Sequence, residues 1–127
     1  MSRIVLDAGA LIAIERNDRP MWAILKIAAL EGIEVLVPSS ALAQVWRGAP
    51  SQAVLSRALQ HCVLASFDAL ARDVGELCGR TGTRDICDAH VALVAVRRAA
   101  VLYTSDVDDL RRLTLACGRP SVSIVHC

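Results

Sequence analysis

The sequence predicts an α/β protein built on a parallel, layered sheet, and two observations carry that prediction. Short apolar, β-rich runs alternate with longer stretches of helical periodicity from end to end, which argues for strands joined by crossover helices. The 127 residues, 54% of them hydrophobic, suffice for one ordinary core and are far too apolar for a disordered chain. One domain spanning residues 1–127 is expected, with no internal repeat, low-complexity tract or linker.

The first strand is Arg3-Ile4-Val5-Leu6-Asp7, followed by a helical pattern over 10–15. Asp18 to Pro20 break the chain, and proline suits the first turn of the next helix, 21–30, which Gly32 ends. Glu34-Val35-Leu36-Val37 is the second strand, stopped by Pro38. Ser39 and Ser40 suit the cap of a helix running to about Arg47. After a break at 48–50, Ser51 opens a helix to about Gln60, and Cys62-Val63-Leu64-Ala65 is the third strand. A helix starting near Asp68 places Leu70, Val74, Leu77 and Cys78 on one face, and 79–83 reads as a loop. A long helix from about Asp85 to Arg98 precedes the fourth strand, 100–104. A helix over 106–117, a turn at Gly118 and Pro120, and a strand over 121–125 complete the chain.

Composition excludes several classes. No apolar run reaches the roughly 18 residues of a membrane span. Only Ile4, Val5 and Leu6 separate Arg3 from Asp7, too few for an apolar targeting core, so a cytoplasmic protein is expected. The five cysteines, Cys62, Cys78, Cys87, Cys117 and Cys127, have no Cys-x-x-Cys spacing and read as buried or bystander thiols. A net charge of +1 gives no global sign of a nucleic-acid partner. Thirteen arginines against one lysine suit phosphate contacts, although a GC-rich genome enriches arginine equally well. No P-loop, Gly-x-Gly-x-x-Gly or nucleophile-elbow pattern is present, and His61, His90 and His126 share no local spacing. Trp22 and Trp46 read as packing residues.

The chemistry lies in the aspartates. Asp7 follows the first strand directly and Asp106 follows the fourth by two residues. In open parallel sheets, ligands bind beyond the carboxyl ends of the strands, so the two acids can converge. Either residue alone is equally at home as a helix N-cap. Asp85 and Asp88 share a helical face, and Asp85 reads as a favourable first-turn charge. Asp88 lies further into a helix so apolar (Ala89, Val91, Val94, Ala95, Val96) that its carboxylate needs a partner. Arg84 is one candidate; a divalent metal is the better account once Asp7 and Asp106 are counted. Asp106 and Asp109 share a face of the following helix. Mg²⁺ and Mn²⁺ favour such oxygen ligands, and can activate water and neutralise charge on a phosphodiester.

Asp7 after a hydrophobic strand, Asp88-Ala89 opening an Ala/Val-rich helix, and Thr104-Ser105-Asp106-Val107-Asp108-Asp109-Leu110 after the fourth strand together resemble the PIN-domain family. The resemblance extends over nearly the whole chain and is nearest in style to the VapC-like toxins of bacterial toxin–antitoxin pairs. It implies a three-layer α/β/α sandwich with a central, mainly parallel sheet of four to five strands. It implies an Mg²⁺- or Mn²⁺-dependent endoribonuclease, dimeric and neutralised by a cognate antitoxin. It gives Asp7, Asp88, Asp106 and Asp109 as metal-binding and catalytic acids. Asp85 has no firm counterpart in it and joins Gln44 and Ser105 as a candidate to support those acids, and Arg47 and Arg84 are candidate phosphate contacts that sequence does not choose between. There are two departures. Gln44 stands where PIN domains often carry a glutamate, and Ala8-Gly9 where a small hydroxyl residue often follows the first aspartate. The alternatives are a degenerate PIN-like domain that binds RNA or protein without cutting and, more weakly, a metal-dependent phosphatase on another α/β fold.

Overall fold

The computed structural model describes residues 3–118 and 122–127. Five strands form one sheet: β1 (Arg3–Leu6), β2 (Glu34–Pro38), β3 (Val63–Ala65), β4 (Val101–Thr104) and β5 (Ile124–His126). Seven helices intervene among the described residues: α1 (Ala8–Glu15), α2 (Arg19–Glu31), α3 (Ser39–Val45), α4 (Ala53–Leu59), α5 (Ala71–Thr81), α6 (Ile86–Arg98) and α7 (Val107–Ala116). Single 3₁₀ turns at Pro50–Gln52 and Asp68–Leu70 lead into α4 and α5. The strand order is β3-β2-β1-β4-β5 and every pairing is parallel. The alternation of apolar runs thus produces the parallel sheet it predicts, at the upper end of the expected strand number. Among the described residues, no helix is long and apolar enough to cross a membrane.

Several boundaries follow from single residues. Asp18 caps α2 through the Met21 amide (3.1 Å), Pro20 occupies its first turn, and Gly32 ends it at φ +66°. Ser39 and Ser40 do not cap α3, contrary to expectation. They lie inside it, and their hydroxyls bond outward, Ser39 Oγ accepting from the Phe67 amide (3.0 Å) and Ser40 Oγ meeting His90 Nδ1 (2.7 Å). Nor does α3 reach Arg47: Trp46 is already extended at ψ 131°. The expected loop at 79–83 is shorter, because α5 runs through Gly79 to Thr81 before Gly82 turns it at φ +76°. The Thr81 hydroxyl, donating to the Leu77 carbonyl (2.9 Å), ties that last turn down. An interior glycine costs about 1 kcal/mol relative to alanine, which packing of Val74 and Leu77 outweighs. The final strand is shifted to 124–126; Pro120 and Ser121, expected in its turn and start, lie outside the described residues.

The core joins Val5, Leu6, Leu36, Val37 and Leu102 of the strands to Leu11, Ile14, Leu110 and Leu113 of the helices. At its centre is α6, buried at every position from Ala89 to Ala95 and in contact with β1, β2, α3, α5 and α7. A helix apolar on all sides must be surrounded. Its polar opening turn is what emerges at the edge of the fold, and that turn carries Asp85 and Asp88. A second device holds α1, α3 and α4 together. Buried Gln52 accepts from the Arg47 (2.8 Å) and Gly48 (3.2 Å) amides and donates to the Val45 carbonyl (2.9 Å) and Glu15 (3.0 Å).

Candidate metal centre

Strands β1 and β4 are neighbours, yet the chain leaves β1 toward β2 and leaves β4 toward β5. Such a reversal opens a crevice at the carboxyl ends of the two strands. Asp7 follows β1 there and Asp106 follows β4, while the opening turn of α6 supplies Asp85 and Asp88.

The four expected ligands are not equivalent. Asp88, Asp106 and Asp109 each offer an oxygen, all within 4.8 Å of one another. Opposite ligands of one octahedral Mg²⁺ lie about 4.2 Å apart, so these carboxylates fit a hard divalent cation with only slight closure. Asp7 lies outside that group, behind it and nearly buried at 4% exposure. One of its carboxylate oxygens accepts from the Ala8 amide, making Asp7 the N-cap of α1, and the other accepts from the Thr104 hydroxyl. Asp106 stands at the N-cap position of α7 without capping it, so the helix-cap account holds for Asp7 and fails for Asp106.

Mutual repulsion and burial show in the titration of the acids. Burial, then Asp85, Asp7 and Asp106, push the Asp88 carboxyl up to about 7. Asp7 is raised above the usual range by burial, against the opposing pull of the Thr104 hydroxyl and the Ala8 amide. Asp106 is raised by partial desolvation and then by Asp109, Asp7 and Asp85. Removing water from like-charged carboxylates disfavours their ionised forms, and a cation among them reverses that preference.

The supporting residues fall into place unevenly. Asp85 is the N-cap of α6, accepting from the Asp88 amide at 2.9 Å, a more specific task than a first-turn charge. Gln44 is exposed, one turn beyond Ser40 on α3. Residues four apart share a helical face, and Ser40 touches His90 of α6, so Gln44 lies on the side of α3 turned toward α6. Arg47, just past the end of α3, turns back on the preceding turn, donating to the carbonyls of Ala43 (3.2 Å), Gln44 (3.1 Å) and Trp46 (2.7 Å). Arg84 is exposed and takes part in no ion pair among the described residues, so Asp88 has no arginine partner there. Ser105 is exposed in the turn between β4 and α7, directly against Gly9.

The sequence concealed Thr104. Its hydroxyl, fully buried at the end of β4, donates to Asp7 and accepts from the Asp106 amide at 2.9 Å, joining the two strand ends through one oxygen. In sequence, a threonine at that place reads as an ordinary β-former. At the same edge, burial pushes the Cys87 thiol up to about 12, which disfavours the thiolate. Buried His90, three residues on, has its pKa lowered by burial and packs edge-on against Phe67 at 5.1 Å.

The fold recurs in a solved protein. A chain in the crystal structure of VapBC2 from Rickettsia felis, bound to a DNA fragment from their promoter, matches with a TM-score of 0.73. The match covers 98% of this chain and 98% of that chain at 18% sequence identity, a likeness of fold. No protein-family model matches the sequence, and no curated protein matches it.

Proposed function

We propose that this chain is a divalent-metal-dependent endoribonuclease of PIN type, acting in the cytoplasm as the toxin of a toxin–antitoxin pair. The carrying observation is the convergence of Asp88, Asp106 and Asp109 at the crevice between β1 and β4, with Asp7 tied to the Asp106 amide through Thr104. The fold shared with a VapBC2 chain supports the same reading. Strand order and right-handed crossovers argue for α1–α4 on one face of the sheet and α5–α7 on the other, a three-layer sandwich.

In this reading Asp88, Asp106 and Asp109 hold Mg²⁺ or Mn²⁺. The ion supplies Lewis acidity, lowering the pKa of water and offsetting charge on the scissile phosphate. The chain's own contribution is placement. Asp85 fixes the opening turn of α6 and hence Asp88, and Thr104 fixes Asp7 against the start of α7. Asp7 adds its charge to the cluster, as its upward push on the Asp88 carboxyl reflects, and would favour a cation there as the fourth acid. Of the two candidate arginines, Arg84 is exposed beside Asp85 and free to meet an RNA phosphate, whereas the carbonyls of Ala43, Gln44 and Trp46 occupy Arg47.

The partner part of the reading rests on apolar surface. An open groove of about 800 Å³ between α2, β2 and α4 is lined by Trp22, Leu25, Ile33 and Ala58, with Arg19 and Lys26 among its walls. Ile27 and Leu30 of α2 are exposed as well. Surface of this kind suits a cognate antitoxin or a second copy of the chain.

The test is cleavage of a single-stranded RNA pool by purified protein. Product is expected with Mn²⁺ or Mg²⁺ and none in EDTA. Cleavage that persists in EDTA, or none with any divalent ion, overturns the nuclease reading.

A second reading, an RNA- or protein-binding domain without cleavage, is favoured by Gln44, which lacks the charge of a glutamate. Gln44→Glu separates the two. In a metal-binding site, the added carboxylate is expected to raise Mn²⁺ affinity about ten-fold, within the range for residues supporting ligands, and to lower the Mg²⁺ needed for cleavage. In metal-free protein it is expected to lower the melting temperature, since it joins a repulsive cluster. No change with or without metal removes Gln44 from the site.

A further inference from the structure

Gly9 occupies the first turn of α1. A glycine inside a helix costs about 1 kcal/mol relative to alanine. Backbone conformation does not require it, because the left-handed glycines are Gly32, Gly48, Gly82 and Gly118. Space does. A Cβ at residue 9 would stand 2.2 Å from Ser105 Oγ, 2.8 Å from Ser105 Cβ and 3.0 Å from the Ser105 amide nitrogen. Among the described residues, the other glycines meet nothing closer than 3.9 Å. A hydroxyl can rotate away, but the Ser105 Cβ and amide move only with the backbone.

We propose that Gly9 is a positioning residue for the acid cluster: its missing side chain lets the turn after β4 seat on the first turn of α1. That seating sets Asp106 and Asp109 against Asp88. The inference rests on the metal-site reading above. The reason is the chain's path. Thr104, just before Ser105, is pinned by its hydroxyl to Asp7 and by its carbonyl to the Cys127 amide (3.0 Å). Asp106, just after it, opens α7, and Asp109 follows one turn later. A Ser105 pushed off residue 9 therefore cannot carry β4 with it. The displacement passes into the start of α7, where two of the three converging carboxylates sit.

Mn²⁺ titration followed by electron paramagnetic resonance tests this on wild type, Gly9→Ala and the double variant Gly9→Ala/Ser105→Gly. The double variant removes both side-chain atoms that the new methyl meets. Gly9→Ala is expected to bind Mn²⁺ at least about ten-fold more weakly, and the double variant to recover most of that loss. A purely structural role for Gly9 would lower the melting temperature without moving affinity. Wild-type Mn²⁺ affinity in folded Gly9→Ala overturns the inference and leaves the metal reading standing. Should wild type take up no Mn²⁺, the metal reading fails, and crystal structures of wild type and Gly9→Ala decide the inference. An unchanged spacing of Asp88, Asp106 and Asp109 overturns it; an opened cluster supports it. Should Gly9→Ala fail to fold, the double variant decides: wild-type affinity supports the inference, and folded protein with weakened affinity overturns it.

Discussion

Asp88→Asn is expected to lower RNA cleavage on the order of 10²–10³-fold, the scale on which a transition state loses a fixed electrostatic partner. It is also expected to make the metal-free protein more stable at neutral pH. The folded protein holds the Asp88 carboxyl at about 7, through burial and the charges of Asp85, Asp7 and Asp106. An unfolded aspartate titrates near 3.9. Between those two values the folded state binds more protons than the unfolded state, so stability falls as pH rises through that window. Above about pH 7 the carboxylate is ionised in both states and the full penalty is present. Solvent screening at this half-buried position reduces it to about 1–2 kcal/mol. Asparagine keeps the shape and removes the charge, so urea unfolding of the variant without metal should be flatter between pH 4.5 and 7.5. Mn²⁺ should reverse the order, stabilising wild type more than the variant, because a ligand that binds the folded state shifts stability by mass action. An unchanged pH slope in Asp88→Asn would remove Asp88 from the repulsive cluster. Wild-type cleavage at matched metal would remove it from the reaction.

Much of the fold was legible because its signals are local. Asp18, Pro20 and Gly32 mark both ends of α2 by their own conformational preferences, and the apolar strand runs need no partner to be read. Asp88 was legible for a similar reason: a charge in the opening turn of an otherwise buried helix calls for an explanation within that helix. Contacts between distant segments were hidden. Ser39 and Ser40 carry the residue type of a cap, but Phe67 and His90 claim their hydroxyls across the fold, and tertiary bonding overrides the local preference. Gly9 stood out in sequence only as a departure from a hydroxyl; its steric reason exists only where Ser105 arrives. The acids were read as one set; in the structure Asp7 accepts from Ala8 and Thr104 and lies outside the three oxygens that fall within 4.8 Å of one another. That distinction depends on hydrogen-bond partners, which spacing does not encode.

Thr104→Val is expected to damage both stability and metal binding, and the two effects have one cause. Valine preserves the branched shape and the packing at the end of β4, so the change removes essentially the hydroxyl. Two groups then lose a partner: the Asp7 carboxylate oxygen that does not cap α1, in a residue 4% exposed, and the Asp106 amide. Leaving a buried acceptor and a donor unsatisfied costs about 2–3 kcal/mol, more than the net worth of the bonds themselves. In a chain of this size that corresponds to a melting temperature lower by roughly 6–15 °C. The hydroxyl also holds the Asp7 pKa down against burial, so its loss should push that carboxyl further up. A raised carboxyl lowers folded-state stability progressively as pH rises from the unfolded value to the folded one. The variant's deficit should therefore be smallest near pH 4 and grow toward neutrality. With Asp7 harder to ionise and Asp106 released from β4, Mn²⁺ affinity should drop about ten-fold or more. Thr104→Ser restores the oxygen without the methyl and is expected to recover affinity and most of the pH dependence, while retaining a small packing loss. Calorimetry from pH 4.5 to 7.5 and Mn²⁺ titration of the pair measure both effects. Equal behaviour of the valine and serine variants would mean that Thr104 acts through its methyl alone, and Asp7 and Asp106 would then be held together by something other than the shared hydroxyl.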